Sequence, residues 1–283
     1  MNIKNILFLL TFLSFSLFAE PLHLSVYNPQ ENGIFPVSST LVSGPTEAIL
    51  FDAQFNTKDG EKLVELIKNS RKILKQIIIT SGDPDFYFGL DPLVKAFPEA
   101  KVVASPKVVK HILATKDAKL KYWSPKIKDG APKKLIVPQV TAETIFTVDG
   151  EPLELHHSNK SSAYVWIPAN KAILGGTSIS SGIHVWTADN QTIDSRNSWI
   201  NTLKEMENLK PLTVIPGHYL GERPKGDLAI KFTIDYLETF EKALENHKGS
   251  NDVIKTMVAA YPQLAEKSSL ELSAKVNTGE VKW

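Results

Sequence analysis

The sequence predicts an α/β fold, and three observations predict it. Ile77-Ile78-Ile79 is a run of β-branched residues, the pattern of a strand buried on both faces. Ahead of it, Leu63, Val64, Leu66, Ile67 and Ser70 recur at i, i+3 and i+4 spacing, which places a helix from Thr57 or Lys58 to about Ile73. Strand, helix and strand in this order imply a parallel crossover. Further along, Leu135–Pro138, Thr144–Val148 and Leu153–His157 read as a second, antiparallel set, with Asp149-Gly150 as a hairpin turn between two of them.

The N-terminus is set apart from the fold. Lys4 is followed by an apolar run from Ile6 to Phe18 and then the small Ala19, the pattern of a secretory signal peptide cleaved after Ala19. An uncleaved anchor is the alternative, although the run is shorter than the roughly 20 apolar residues that span a bilayer. Cleavage leaves 283 − 19 = 264 residues, enough for one large α/β domain or two small ones. It also leaves 32 − 1 = 31 basic against 31 acidic residues. That balance gives no support for nucleic acid or an anionic membrane as partner. The expected location is periplasmic or secreted, with no membrane association after cleavage. The chain has no cysteine, so it has no disulfide and no thiolate nucleophile or ligand.

In chain order, Leu22–Tyr27 alternates at period two and reads as a strand. Ser38–Ser43 and Ala48–Asp52 form a hairpin around Gly44-Pro45. After the isoleucine strand, Ser81-Gly82-Asp83-Pro84-Asp85 reads as a tight turn. Pro92–Ala96 reads as a short helix and Lys101–Ser105 as a strand. Pro106 suits the first turn of a helix reaching Ala114. The lysine-rich stretch 115–134, broken by Pro125 and Pro132, reads as a surface excursion. A helix over Ser195–Leu209 carries a core stripe of Trp199, Ile200, Leu203 and Met206. Lys225–His247, Asn251–Ala260 and Pro262–Leu272 read as helices of a C-terminal extension, about 225–283. It covers the outer sheet, extends over a pocket, or makes a homodimer contact.

Three separated motifs carry a family resemblance. Thr80-Ser81-Gly82-Asp83-Pro84-Asp85-Phe86, with Gly89, resembles the strand-end loop of the metallo-β-lactamase superfamily, Thr-His-x-His-x-Asp-His followed by Gly. His157, then Leu174-Gly175-Gly176-Thr177, and last Pro216-Gly217-His218 resemble the family's later motifs in the same order. The overlay covers roughly Leu22 to Leu220 in one domain, 20–283. It implies a four-layer αββα sandwich of the metallo-β-lactamase type with extra C-terminal helices.

The resemblance also implies an altered metal site. Asp85 matches the family aspartate, and His157 and His218 match family histidines. Ser81, Asp83 and Phe86 stand where the loop carries histidines, and Thr177 stands where a bridging aspartate belongs. Asp83, Asp85, His157 and His218 remain as a candidate ligand set for one divalent ion, zinc first and manganese or iron next, or for none. His156 points to the opposite strand face from His157 and is a ligand only if His157 is not. With a metal bound, Asp85 or Asp83 orients an activated water or takes its proton. The implied reaction is hydrolysis of a small-molecule ester, lactone, amide or phosphoester. Without a metal, the protein keeps the fold and binds a ligand or partner. Ser81, Thr177, His184, Trp186 and Tyr219 are the candidate substrate-binding residues. Ile183–Asp189 is either a substrate wall or an ordinary buried strand, and Asp52 either braces the metal loop or caps its own strand.

Overall fold

The computed structural model describes residues 21–158 and 161–283. The expected signal peptide and its cleavage site lie outside the described residues. No helix among the described residues is long and apolar enough to cross a membrane.

The first sheet has six strands in sequence order, β1 (His23–Tyr27), β2 (Ser39–Ser43), β3 (Glu47–Phe51), β4 (Ile73–Ile79), β5 (Lys101–Ala104) and β6 (Gln139–Val140). β1 to β3 pair antiparallel and β3 to β6 pair parallel. The parallel half follows from α1 (Thr57–Ser70) and α4 (Pro106–Ile127), each of which returns the chain to the same sheet end. α1 starts at Asn56, whose side chain accepts from the Asp59 N–H. It ends at Arg71, which adopts a left-handed conformation. Two short helices, α2 (Pro84–Tyr87) and α3 (Leu90–Ala96), fill the gap after β4. Gly89 between them packs its Cα against the Ala53 carbonyl, where a Cβ would overlap the oxygen.

The second sheet runs β12-β10-β9-β8-β7. Its members are β7 (Ile145–Val148), β8 (Glu151–His157), β9 (Ala163–Ile167), β10 (Ala172–Leu174) and β12 (Thr213–Val214). β11 (Ser180–Ser181) and β13 (His218–Tyr219) form a separate parallel pair. Outside this sheet lie α5 (Ile193–Asn208), α6 (Leu228–Asn246), α7 (Ser250–Ala260) and α8 (Lys267–Asn277).

Period-two alternation sorts the strand residues into layers. Ile49, Phe51, Ile78 and Val103 face Leu153, Leu155, Val165 and Leu174 between the two sheets. Leu50, Ile77, Ile79 and Val102 face the other way, onto the helical layer of α1, α3 and α4. Tyr164, Ile173 and Val214 face the layer of α5 to α8. Helices, sheet, sheet and helices give the αββα order.

Four expectations are corrected. The helix from Pro106 does not stop at Ala114 but runs to Ile127. Lysine is a good helix former, and the half-buried Trp123 anchors the extra turns against Phe35 and Phe55 at 5.5 and 5.1 Å between ring centres. Leu135–Pro138 forms no strand; the chain pairs only at Gln139–Val140, as the edge of the first sheet. Pro84 begins a helical turn instead of sitting in a tight turn, because its missing N–H costs nothing at the first helical position. Ile183–Asp189 is not a strand, and only Ile183 makes a bridge, to Ala265.

Candidate functional site

The site lies where both sheets end together. Asp52 closes β3 with a left-handed backbone, φ 65°. Its two carboxylate oxygens accept from the Thr80 N–H at 2.7 Å and the Thr80 hydroxyl at 2.6 Å. Thr80 Oγ1 in turn accepts from the Gly176 N–H at 2.7 Å. One buried chain, Asp52 to Thr80 to Gly176, therefore ties the first sheet to the loop after β10. Burial pushes the Asp52 carboxyl up to about 7, against the pull of the two Thr80 hydrogen bonds. Asp52 thus acts as the brace that the sequence offered as one of two roles.

Gly217 brings the last motif against the same loop. A Cβ there would overlap the Gly176 carbonyl oxygen, so only glycine admits this backbone approach. His218 is thereby set beside Asp85, with Nε2 2.6 Å from Asp85 Oδ2. The fully buried Phe86 packs its ring edge-to-face on the His218 imidazole, 5.4 Å between centres.

Asp83 belongs to a second cluster. The Lys119 ammonium donates to its Oδ1 at 2.7 Å, and His111 Nε2 lies 3.3 Å from Lys119 Nζ and 3.9 Å from Asp83 Oδ1. Burial would push the Asp83 carboxyl up, but Lys119, and less strongly His111 and Ser81, hold it below the usual carboxylate range. Burial likewise pulls on the Lys119 ammonium, and Asp83 more than offsets it.

Both clusters open into one cavity of about 270 Å³. Asp83, Asp85, Thr177, His184, Trp186 and His218, all read from sequence, line it. Three other candidates do not. His157 stands exposed at the end of β8, away from this lining, while His156 stacks on Tyr164 at 5.0 Å. Ser81 is fully buried and binds Asp83, with Oγ 3.2 Å from Oδ2. Tyr219 is buried under the Asn28 loop, its carbonyl accepting from Asn28 Nδ2 at 3.0 Å.

The metal set implied by the resemblance is not assembled. Among the described residues, no group of three or more His, Cys, Asp or Glu side chains is placed to hold a metal ion. The chemistry of the site agrees with that geometry. Lys119 sets a tethered cation on Asp83, Phe86 sets an apolar ring on His218, and His157 is turned to solvent. A cation already bonded to a carboxylate opposes a second one nearby. These residues do not fit the metal.

Sequence reading missed Lys119 and His111, since the helix was ended before Lys119. Their spacing of eight puts both on one helix face, a signal available once α4 is carried to Ile127. It also missed Trp199, read as core only, and Glu266 and Trp283, whose approach to the cavity no local pattern announces.

Comparisons with known proteins bear on the fold. The family model described as the metallo-beta-lactamase superfamily matches residues 32–218. A metallo-beta-lactamase from Pontibacter korlensis is 22% identical with a TM-score of 0.55, over 77% of this chain and 94% of that one. A metallo-beta-lactamase from Hirschia baltica is 16% identical with a TM-score of 0.52, over 77% of this chain and 98% of that one. A double mutant of the sec-alkyl sulfatase PisA1 is 16% identical with a TM-score of 0.60, over 89% of this chain but 48% of that one. At these identities the likeness is one of fold alone. No curated protein matches the chain.

Proposed function

The chain belongs to the metallo-β-lactamase superfamily, and on that premise we propose that it is an exported, metal-free member that binds a small molecule in the shared cavity. The observation that carries this reading is Lys119 Nζ at 2.7 Å from Asp83 Oδ1. The chain supplies its own cation to a carboxylate that a metal would need. Export rests on the N-terminal sequence. Binding rests on a cavity with both an apolar wall and polar groups, the usual make-up of a ligand site.

A second reading has its own observation. Asp85 Oδ2 and His218 Nε2, 2.6 Å apart, form a carboxylate–imidazole pair on the cavity wall. A carboxylate that orients an imidazole equips its free nitrogen to take a proton from water. On that reading the protein hydrolyses an ester or lactone with His218 as base and Asp85 as positioning residue.

Elemental analysis of the mature protein, after incubation with zinc, manganese and iron, tests the first reading. We expect well under one ion per chain, and thermal shifts with small molecules that persist in chelator. About one ion per chain, lost in His218→Ala, would overturn the metal-free reading. The second reading expects chelator-resistant ester hydrolysis that Asp85→Asn lowers by about 10²-fold or more; no hydrolysis across an ester and lactone panel overturns it.

A further inference from the structure

Three features of the cavity reach beyond its two side-chain clusters: its charge, its aromatic lining and a partnerless carboxylate. Four carboxylates line it, from Asp83, Asp85, Asp189 and Glu266, and Lys119 is the one lysine or arginine among the described lining residues. Lys119 answers Asp83. Even with His218 protonated beside Asp85, carboxylates remain in excess. Six aromatic rings line the same space, those of Phe35, Phe55, Trp123, Trp186, Trp199 and Trp283. Trp186 and Trp283 meet edge-to-face at 5.4 Å, and their indole N–H groups donate to the two oxygens of Asp189, at 2.7 and 2.9 Å. The indole rings are thus held in place and polarised by a carboxylate behind them.

Glu266 is the feature with least structural reason. Its backbone is left-handed, φ 57° and ψ 46°, at the start of α8. That conformation is unfavourable for any residue with a Cβ, and such strain is usually tolerated where the side chain has a task. The side chain caps nothing and makes no hydrogen bond or ion pair among the described residues; burial raises its carboxyl above the ordinary value, and His218 offsets this only in part. Nothing in the fold uses this carboxylate.

A second, independent observation comes from His184. It borders the cavity, is 1% exposed, and its Nε2 has no hydrogen-bond partner. Its Nδ1 lies 3.0 Å from the Tyr236 hydroxyl. We assign the Tyr236 proton to this contact, which leaves the hydrogen of the neutral imidazole on Nε2. A buried donor without an acceptor is costly and asks for a partner.

Resting on the small-molecule reading above, we propose that the cavity takes an organic cation, an alkylammonium or quaternary ammonium compound that also bears an acceptor oxygen. The cationic head lies against the indole faces with Glu266 and Asp85 supplying opposite charge, since a desolvated cation is attracted by aromatic faces. The oxygen accepts from His184 Nε2. An anion is disfavoured by the carboxylates, and an uncharged molecule of the same shape forgoes the cation–π attraction.

The test uses the mature full-length protein and two isosteric probes, choline and 3,3-dimethylbutan-1-ol, which differ in the charge at one atom. Calorimetry or tryptophan fluorescence should show choline binding tighter by about tenfold or more, and Glu266→Gln and Trp186→Ala should each weaken choline by about fivefold or more. Glu266→Gly is the folding control. It relieves the left-handed strain, so it should melt no lower than the native protein while still losing the preference for choline. Equal binding of the two probes, or choline binding untouched in Glu266→Gln, overturns the cation assignment and leaves the small-molecule reading standing. Binding of neither probe also overturns the assignment. In that case a neutral and anionic panel that shifts the melting temperature keeps the broader reading, and a silent panel ends both.

Discussion

His184 shows how one buried side chain sets a pH dependence. Burial, helped by the Lys267 charge, pushes its imidazole down to about 4. The unfolded imidazole titrates near 6.5. Between those values the unfolded chain binds a proton that the folded chain refuses. Stability from this group is therefore complete above about pH 6.5 and is lost as pH falls toward 4, by an amount on the order of 3 kcal/mol. Urea midpoints measured from pH 7.5 to 4.5 should fall, and His184→Asn should show a shallower fall. An equal slope in the variant would remove His184 as the cause. Gly217 gives a second prediction at this scale. Ala has no room beside the Gly176 carbonyl oxygen, so Gly217→Ala should cost roughly 1–3 kcal/mol and disturb the Asp85–His218 pair. A chemical-denaturation midpoint near that of the native protein would contradict the packing argument.

Among elements, the outer helices are joined through one arginine. Arg196 on α5 is 5% exposed and pairs with Glu241 on α6 through Nε and Nη2, at 2.5 and 3.0 Å. Its Nη1 donates to the Asn190 carbonyl at 2.9 Å and to Asn277 Oδ1, at the end of α8, at 2.6 Å. Three helices thus converge on one guanidinium, whose planar fork suits such convergence. Removing it strands the Glu241 charge, so Arg196→Ala should cost about 3–5 kcal/mol, with Arg196→Met in a Glu241→Leu background costing much less. Equal losses in both would mean that packing, not charge, joins the helices. The same layer matters for the cavity, since α8 carries Ser269 and begins at Glu266, while α5 carries Trp199. Displacing these helices should therefore weaken any cavity ligand along with stability.

For the whole molecule, the two sheets share one interior. Phe51 and Ile78 of the first sheet meet Leu155 and Leu174 of the second, and the Asp52–Thr80–Gly176 chain bonds the sheets at the site end. A shared interior should unfold as a unit. Far-ultraviolet dichroism and tryptophan fluorescence should report one transition, because Trp123 and Trp199 sit in opposite helical layers. Phe51→Ala should cost about 3–5 kcal/mol of stability and so lower the midpoint without splitting the transition. Two separated transitions would show that the sheets fold independently. With no cysteine in the chain, a reducing agent should leave that transition unchanged.

The sequence by itself determined most of the strands and helices and their order, because hydrophobic period is a local property. The isoleucine run became β4, the Asp149-Gly150 turn joined β7 to β8, and the alternation that splits Ile78 from Ile77 assigned each to its layer. The ordered motifs also placed Asp85 and His218 together, since each sits at a strand end that the fold brings to one edge. What only the tertiary structure decided was which side chains share that edge. His157 shares the inward parity of Leu153 and Leu155, but it is the last residue of β8 and stands exposed beyond the intersheet core, which no strand pattern announces. Lys119 reaches Asp83 only because a lysine-rich stretch stays helical, held by Trp123 against Phe35 and Phe55. Glu266 and Trp283 come from the far end of the chain, brought by the packing of α8 on the second sheet's outer layer. Contacts between residues remote in sequence leave no periodic trace in it, so the charge and the aromatic wall of the cavity were decided by packing alone.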